Sequence, residues 1–436
     1  MGIAVFHTFL LILIVTSSLA DELVFVQIIW RHGDRAPIFA YPTDIHQEEA
    51  WRYGWGELTE LGMKQQFALG DLIRQRYIER NYNFLSHNYH PKEVYIRSTD
   101  VNRTLVSAMA NLAGMYPTGI AGRDYPKSEK WPSHWTPIPI HTVENNEDYV
   151  GNVFSRCPRA SQLTAIIRCS KQYQKVADEN KDFFDYVSKK SGMRVNLDNV
   201  YIINDIHYAE TVHNMSQPAW ITEDVSRKLL NLSVITSGYL YGISTPYLPE
   251  LIKLRGGKVS SLSSSLAFDP TLCKVETLPV SLTDCLSSKL KKIITGSLLK
   301  LLLENMIQKK ECLLNPENPK CSSHDTTIGA LMATLGDEEE VLHGGLPQYT
   351  ASIAVELWNT TDFGFAVKIL FHEAFHHPYR VITHLTKGCP SDSDFCPLNT
   401  FRNRSRNFLP VNIKRECLPK KGISRKVYKP CEKASV

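Results

Sequence analysis

A short run of the chain at residues 31–37 combines one histidine with two arginines. It reads Arg31-His32-Gly33-Asp34-Arg35-Ala36-Pro37. Guanidinium groups remain charged and hold phosphate oxygens in a planar fork, so Arg31 and Arg35 can converge on one phosphoryl group. His32 stands between them, placed to attack phosphorus in line. The run therefore predicts phosphoryl-transfer chemistry; a surface loop of basic residues is the alternative interpretation.

The neighbouring segments predict the elements that position this run. Leu23 to Trp30 is dense in Val, Ile and Phe and leads straight into Arg31, which is typical of a buried strand that ends in a polar loop. Thr59 to Arg80 has apolar residues at near-helical spacing, with Thr59 as a suitable N-cap. A second strand is expected at Glu93–Arg97 and another helix at Thr99–Ala113. This alternation predicts an α/β protein with a layered core, in which helices flank a central mixed β-sheet.

Composition divides the chain into this core and an insertion. The first part of residues 117–245 is rich in Pro, Trp and Gly, and polar helical stretches follow, which predicts a smaller, mostly helical inserted cap. Strand-like segments return at Tyr349–Trp358 and Gly364–Phe371 and close the core. The expected boundaries are a signal peptide at 1–20, the core at 21–116 and 246–400, the cap at 117–245 and a basic tail at 401–436.

Overall composition and charge exclude several classes of protein. With 43% apolar and 22% charged residues, the chain is typical of a folded globular protein rather than a disordered one. A formal net charge of +4 is too small to indicate nucleic-acid binding. Residues 401–436 carry eleven Lys or Arg against two acidic residues. This tail is expected to be solvated, and docking on an anionic surface is the alternative.

The N-terminus predicts export. Val5 to Val15 is almost unbroken apolar sequence, and Ser18-Leu19-Ala20 offers small residues at the cleavage positions of a signal peptide. No later segment approaches the roughly 18 apolar residues of a membrane span, so no transmembrane anchor is expected. We expect the protein to be secreted, with the lysosomal lumen as the alternative destination.

Ten cysteines agree with an oxidising compartment. Short spacings favour local bridges within the pairs Cys273–Cys285, Cys312–Cys321 and Cys389–Cys396. No Cys-x-x-Cys pair of the zinc-ribbon type is present, and no metal is expected. Asn-x-Ser/Thr sequons mark candidate glycosylation sites. They are Asn214, Asn231, Asn359 and Asn403, with Asn102 a fifth beside the residues of expected chemistry.

The pattern Arg-His-Gly-x-Arg-x-Pro at 31–37 resembles the signature of the histidine acid phosphatases. This is the branch of the histidine phosphatase superfamily that contains the prostatic and lysosomal acid phosphatases and the phytases. Further segments resemble parts of that family in the same order, so that the resemblance extends over most of residues 23–420. These segments are Gly56–Met63, Tyr95–Asp100, Thr211–Asn214, His324–Thr327 and Pro378–Val381.

The resemblance implies a reaction without metal or cofactor, acting on phosphate monoesters of small molecules or phosphoproteins. His32 would be the nucleophile, Asp325 would protonate the leaving alcohol, and water would then hydrolyse the phosphohistidine. A protonated carboxylic acid is most effective below neutral pH, so the implied pH optimum is acidic. The implied phosphate ligands are Arg31, Arg35, Arg97 and His324.

Other implications concern cysteines and assembly. The resemblance implies the disulfides Cys157–Cys417 and Cys389–Cys396. Ala209 and Ser352 stand where similar acid phosphatases carry a bonded cysteine pair, so both partners are replaced together. A homodimer is left open.

Two departures from the family pattern favour a second hypothesis. The residues before His324 include Pro316 and Pro319 and no apolar run, where the family has a buried strand. Residues 258–296 form a longer stretch than the family provides, as expected for an atypical insertion in a divergent or mis-spliced form. The alternative function is therefore a catalytically weak or inactive phosphate-binding relative.

His372-Glu373-Ala374-Phe375-His376 matches the His-Glu-x-x-His pattern of zinc metallopeptidases. That chemistry requires both histidines on one face of a helix. Here Val367–Phe371 predicts a strand, and Pro378 disfavours helix at the residue before it. A zinc metallopeptidase therefore remains only a remote alternative.

Overall fold

The computed structural model describes residues 20–80, 84–152, 154–256, 298–314, 329–337, 340–341 and 347–420. Several expectations from the sequence lie outside these residues. They concern the signal peptide up to residue 19, the bridge Cys273–Cys285, the insertion at 258–296, the pair His324-Asp325, and the tail beyond residue 420. The side chains of Cys312 and Cys321 are outside them as well.

In the described part of the chain, strands lie near both ends and a long run of helices lies between them. The strands are β1 (Glu22–Trp30), β2 (Ile96–Arg97), β3 (Ile140–His141), β4 (Ser352–Thr360), β5 (Gly364–His372), β6 (Arg380–Val381) and β7 (Cys396–Pro397). The helices are α1 (Glu60–Arg74), α2 (Asn102–Met115), α3 (Pro158–Arg168), α4 (Lys171–Glu179), α5 (Lys181–Ser191), α6 (Val200–Val212), α7 (Glu223–Tyr241), α8 (Pro249–Gly256), α9 (Leu298–Leu314), α10 (Gly329–Leu335), α11 (Leu398–Ser405) and α12 (Ile413–Glu416).

The main sheet joins the two ends of the chain. Strand β1 pairs with β4, β4 with β5, and β5 with both β6 and β7. Within the described residues these pairings are antiparallel, while β2 and β3 form a separate parallel pair. Almost every residue of β4 is buried, because helices cover both of its faces. The α/β core with a sheet flanked by helices is therefore confirmed.

Alternate residues of β4 enter two different hydrophobic cores. Ile353, Val355 and Leu357 pack toward α9 and α10, whereas Trp358 packs toward α1 and α2. This is the two-residue period of a strand whose faces are both covered. On the second face the buried Glu356 accepts hydrogen bonds from Arg76 and from the hydroxyl of Tyr77, just after α1. The sheet therefore holds α1 by polar contacts as well as apolar ones.

Helices α1 and α2 pack backbone to backbone. A Cβ atom on Gly70 would lie 1.9 Å from the carbonyl oxygen of Asn111, and one on Gly114 would lie 2.0 Å from that of Phe67. Both positions therefore require glycine. This close approach fixes the two helices against each other.

Residues 158–256 form a helical unit with a core of its own. Helices α3 to α8 bury a shared cluster that includes Leu163, Val187, Ile203 and Leu229. This agrees in character with the helical cap expected at 117–245, and we propose 158–256 as its bounds. None of the helices in the described part of the chain combines the length and apolar character needed to cross a membrane.

Two disulfides expected from the resemblance are present. Cys157–Cys417 joins the start of α3 to the end of α12 across 260 residues, and Cys389–Cys396 closes a short loop before β7. Ala209 and Ser352, which replace a cysteine pair, are fully buried, and the Ser352 hydroxyl hydrogen-bonds that of Tyr379 at 2.7 Å. The C-terminal segment is thus fixed to the helical unit.

Candidate active site

The run at residues 31–37, here called the His32 loop, is held by three elements. Arg31 N donates to the carbonyl of Ala351 just before β4, and Gly33 N donates to Ser107 Oγ on α2. A Cβ atom on Gly33 would lie 2.3 Å from the carbonyl oxygen of Gly62 in the first turn of α1. The loop therefore lies directly on α1, and only glycine allows this approach.

His32 has a defined tautomer. Its Nδ1 lies 2.8 Å from the carbonyl oxygen of Gly33. Since a carbonyl oxygen only accepts hydrogen bonds, Nδ1 carries the proton and Nε2 keeps its lone pair in the neutral ring. Nε2 is thus the nucleophilic atom of this histidine.

The surroundings of His32 keep its ring uncharged. Burial is the main cause that holds its pKa well below 6.5, and the positive charges of Arg31, Arg35 and Arg103 add to it. The hydrogen bond to Gly33 opposes the shift. This environment favours the neutral ring, whose Nε2 lone pair is available for attack.

The arginines around His32 are fixed by separate contacts. Arg35 donates two hydrogen bonds, of 3.0 and 2.9 Å, to the carboxylate of Asp205 on α6. Arg31 Nη1 donates to the carbonyl of Pro347 at 2.6 Å. Arg103 stands in the first turn of α2, where burial and repulsion from Arg35 and Arg31 lower its pKa. Such mutually repelling cations are stabilised by a bound anion, which favours a phosphate site.

Arg103 lies beside His32 as a third arginine, with Arg31 and Arg35. The resemblance implied a phosphate-binding role for Arg97, but the Arg97 guanidinium donates at 2.6 Å to the buried carboxylate of Asp148. Arg97 lies in the short strand β2, whereas the start of α2 faces the His32 loop. The expected helix at 99–113 already placed Arg103 in its first turn, and this was the available signal.

Helix α6 lies beside the His32 loop and contacts it at two points. Asp205 binds Arg35, and His213, just after the helix, donates from Nε2 to Asp34 Oδ2 at 2.6 Å. Asp34 is fully buried and also accepts a hydrogen bond from the Thr59 hydroxyl. Sequence reasoning missed Asp205 and gave His213 no role, although it belonged to a matching segment. These contacts attach the helical unit to the His32 loop.

Helix α6 also carries the buried carboxyl group of Glu210. Burial, and then the nearby Asp44 carboxylate, raise the pKa of Glu210 from 4.5 to about 8. Asp44 Oδ2 and Glu210 Oε2 are both buried, and neither meets a donor among the described residues. A proton on Glu210 supplies that donor, so the two carboxyl groups attract each other only while the proton is bound.

This pair is expected to stabilise the protein in acid. Because the folded-state pKa of Glu210 is raised, its contribution is complete below pH 4.5 and is lost as the pH rises through about 8. In urea unfolding between pH 5 and 8, this group should lower the free energy of unfolding by up to about 1.4 kcal/mol per pH unit. Glu210→Gln should remove this slope, because its amide donates at every pH.

Glu250→Gln is the matched control for that measurement. Its hydrogen bond with Arg159 is the main cause that lowers the pKa of Glu250 to about 2. Glu250 therefore stays ionised throughout the tested range, and its replacement should leave the slope unchanged. A slope that survives in Glu210→Gln would contradict the assignment.

The His-Glu-x-x-His segment lacks the helix that a zinc peptidase requires. His372 is the last residue of β5, and its Nδ1 donates to the carbonyl of Thr350 at 3.0 Å. His376 follows in a turn with φ of 71°. Across the described ranges, no cluster of three or more His, Cys, Asp or Glu side chains could hold a metal ion. The metallopeptidase alternative is wrong because strand and turn do not place the two histidines on one helical face.

Comparison with known proteins identifies relatives over nearly the whole chain. The family model "Histidine phosphatase superfamily (branch 2)" matches residues 22–372. Human prostatic acid phosphatase is 34% identical over 405 residues, which cover 92% of this chain and 89% of that protein. Lysosomal acid phosphatase of Xenopus laevis is 31% identical over 420 residues, covering 96% of this chain and 84% of that protein.

Solved structures share the fold at lower sequence identity. The phytase from Citrobacter braakii has a TM-score of 0.53 and 16% identity, and the match covers 92% of this chain and all of that one. The phytase from Klebsiella sp. ASR1 has the same TM-score and identity, and covers 92% of this chain and 96% of its own. At this identity the likeness concerns the fold alone.

Proposed function

Because the chain belongs to branch 2 of the histidine phosphatase superfamily, we propose that it hydrolyses phosphate monoesters at acidic pH through a phosphohistidine on His32. The family is hydrolytic and the curated relatives are acid phosphatases, so the chain is a phosphatase. The observation that supports a phosphohistidine mechanism is the neutral ring of His32, with Nε2 unprotonated, among the charges of Arg31, Arg35 and Arg103.

The first step transfers the phosphoryl group to the enzyme. Nε2 of His32 forms a bond to phosphorus while the bond from phosphorus to the leaving oxygen breaks. The leaving oxygen takes a proton, which we assign to the carboxylic acid of Asp325 on the basis of the resemblance. Arg31, Arg35 and Arg103 neutralise the charge on the remaining phosphoryl oxygens, a role for which no metal is needed.

The second step returns the enzyme to its starting state. A water oxygen attacks phosphorus, the bond to Nε2 breaks with its electron pair returning to nitrogen, and the Asp325 carboxylate takes a proton from the water. Inorganic phosphate leaves. On the basis of the resemblance, His324 is proposed as a further phosphate ligand. Arg103, rather than Arg97, is proposed as the third phosphate-binding arginine.

We propose the extracellular space as the site of action, with the lysosomal lumen as the alternative. Disulfides such as Cys157–Cys417 persist in oxidising compartments, and one group of relatives carries the name lysosomal acid phosphatase. The sequons proposed for glycosylation, Asn214, Asn231, Asn359 and Asn403, are exposed. Small-molecule and phosphoprotein monoesters remain the proposed substrates.

Hydrolysis of p-nitrophenyl phosphate from pH 4 to 8, in the presence of EDTA, tests the proposal. We expect an acidic optimum that EDTA does not change. Quenching the reaction in alkali should trap a phosphoenzyme, because phosphohistidine survives base and breaks down in acid, and mass spectrometry should locate the label on His32. Inhibition by EDTA would contradict the mechanism.

A folded protein that binds vanadate without turnover would instead identify an inactive phosphate-binding relative. The prolines at 316 and 319, where the family has a strand, are the sequence observation that favours this second function. Vanadate binding and hydrolysis therefore have to be measured on the same preparation.

A further inference from the structure

The segment before β4 supports two residues of the reaction. The Pro347 carbonyl accepts from Arg31 Nη1 at 2.6 Å, and the ring of Tyr349 lies under the same guanidinium, 4.6 Å from its central carbon. The Tyr349 ring also lies 5.7 Å from the ring of His32. One aromatic side chain therefore contacts a phosphate-binding arginine and the nucleophile together.

The hydroxyl of Tyr349 contributes little to this arrangement. The residue is 4% exposed, and its hydroxyl oxygen is buried without a hydrogen-bond partner in the described residues. Burial is the main cause that raises its pKa to about 12, so it carries no charge in acid. The aromatic face is the part of Tyr349 that meets Arg31.

The backbone next to Tyr349 is held in an unfavourable conformation. Thr350 has φ of 63°, in the left-handed region that β-branched residues rarely adopt. Thr350 N donates to the His32 carbonyl at 3.4 Å, and Thr350 O accepts from His372 Nδ1 at 3.0 Å. Such strain persists where surrounding contacts determine the geometry, and it is concentrated at functional sites. The first histidine of the His-Glu-x-x-His segment thus helps to hold this turn.

We propose that Tyr349 is a positioning residue, whose aromatic face holds Arg31 in place for phosphate binding beside His32. A guanidinium on a buried ring face is attracted by the ring quadrupole and loses freedom before the substrate arrives. The inference rests on the proposed function, because Arg31 is there assigned to phosphate. It adds a residue that determines how well that arginine is placed.

Fluorination of the ring tests the contact at nearly constant shape. Tyr349→Phe should bind vanadate within about twofold of the wild type, since the ring is kept. Phenylalanines with increasing fluorine content at position 349 weaken the ring quadrupole, and vanadate affinity should fall stepwise by about 10-fold in total. The kcat/KM for p-nitrophenyl phosphate should fall in parallel. An affinity independent of fluorine content would overturn the proposal.

The same series at Tyr239 is the control, because that buried tyrosine packs against Tyr173 in the helical unit. It should leave vanadate affinity unchanged. A loss in Tyr349→Phe as large as that in the most fluorinated variant would assign the effect to the hydroxyl and overturn the proposal. Vanadate binding is measured without turnover. An inactive wild type would therefore contradict the proposed function, while the vanadate affinities of the fluorinated variants would still decide the role of Tyr349.

Discussion

His32→Ala is expected to lower kcat for p-nitrophenyl phosphate by at least about 1,000-fold while vanadate binding is retained. The variant loses the atom that forms the bond to phosphorus, and removal of a nucleophile costs at least this factor in comparable enzymes. Arg31, Arg35 and Arg103 remain to hold the anion, so affinity for vanadate should change far less than turnover. Steady-state kinetics and vanadate titration of the same preparation measure both.

His384→Ala provides the control, because this histidine lies exposed in a short 3-10 helix after β6. It should keep wild-type kinetics. The label trapped in alkali should also disappear in His32→Ala. Turnover above about a tenth of the wild-type value, with a trapped phosphoenzyme, would mean that another side chain is the nucleophile.

Arg103→Ala is expected to impair catalysis, whereas Arg97→Ala is expected to impair stability. Arg103 acts electrostatically on His32, and loss of one preorganised charge at a reacting group costs about 100- to 1,000-fold. Arg97 instead neutralises the buried Asp148, and loss of one partner from a buried ion pair destabilises a protein by about 3–5 kcal/mol. We therefore expect kcat/KM to collapse in Arg103→Ala and stability to fall in Arg97→Ala, as measured by kinetics and urea unfolding.

The pH profile gives an independent check on Arg103. Its positive charge is one cause that lowers the pKa of His32, so its removal should raise that pKa. The acid limb of kcat/KM, where His32 becomes protonated, should then move to higher pH in Arg103→Ala. Asp148→Asn should rescue the stability of Arg97→Ala, since it removes the unpaired charge. If Arg97→Ala abolished turnover at unchanged stability, Arg97 would be the third phosphate-binding arginine, as the resemblance implied.

Local patterns were sufficient for the elements that present His32. The apolar run at 23–30 predicted the bounds of β1 to within one residue. Thr59 caps α1, as its side chain and position indicated. The helix expected at 99–113 is α2 at 102–115. These features depend on residues a few positions apart, which is why spacing alone reveals them.

Contacts between distant segments could not be obtained in that way. Arg97 and Arg103 are six residues apart, and only the packing of α2 on α1 decides which of them faces His32. Asp205 and His213 reach the loop because α6 lies beside it, and no local pattern encodes that placement. The bridge Cys157–Cys417 spans 260 residues and was available only through the resemblance.

The pairing of β1 with β4 has a consequence for how the newly made chain acquires its activity. Trp30 at the end of β1 pairs with Ser352, roughly 320 positions later. At typical rates of protein synthesis, the first strand waits on the order of tens of seconds for its partner. The helices of the unit at 158–256 have been made before then, and so have α1 and α2, whereas the support that Ala351 and β4 give to the His32 loop is made later. A nascent chain therefore carries His32, the proposed nucleophile, well before β4 has been made, and we expect it to remain inactive until β4 has paired with β1.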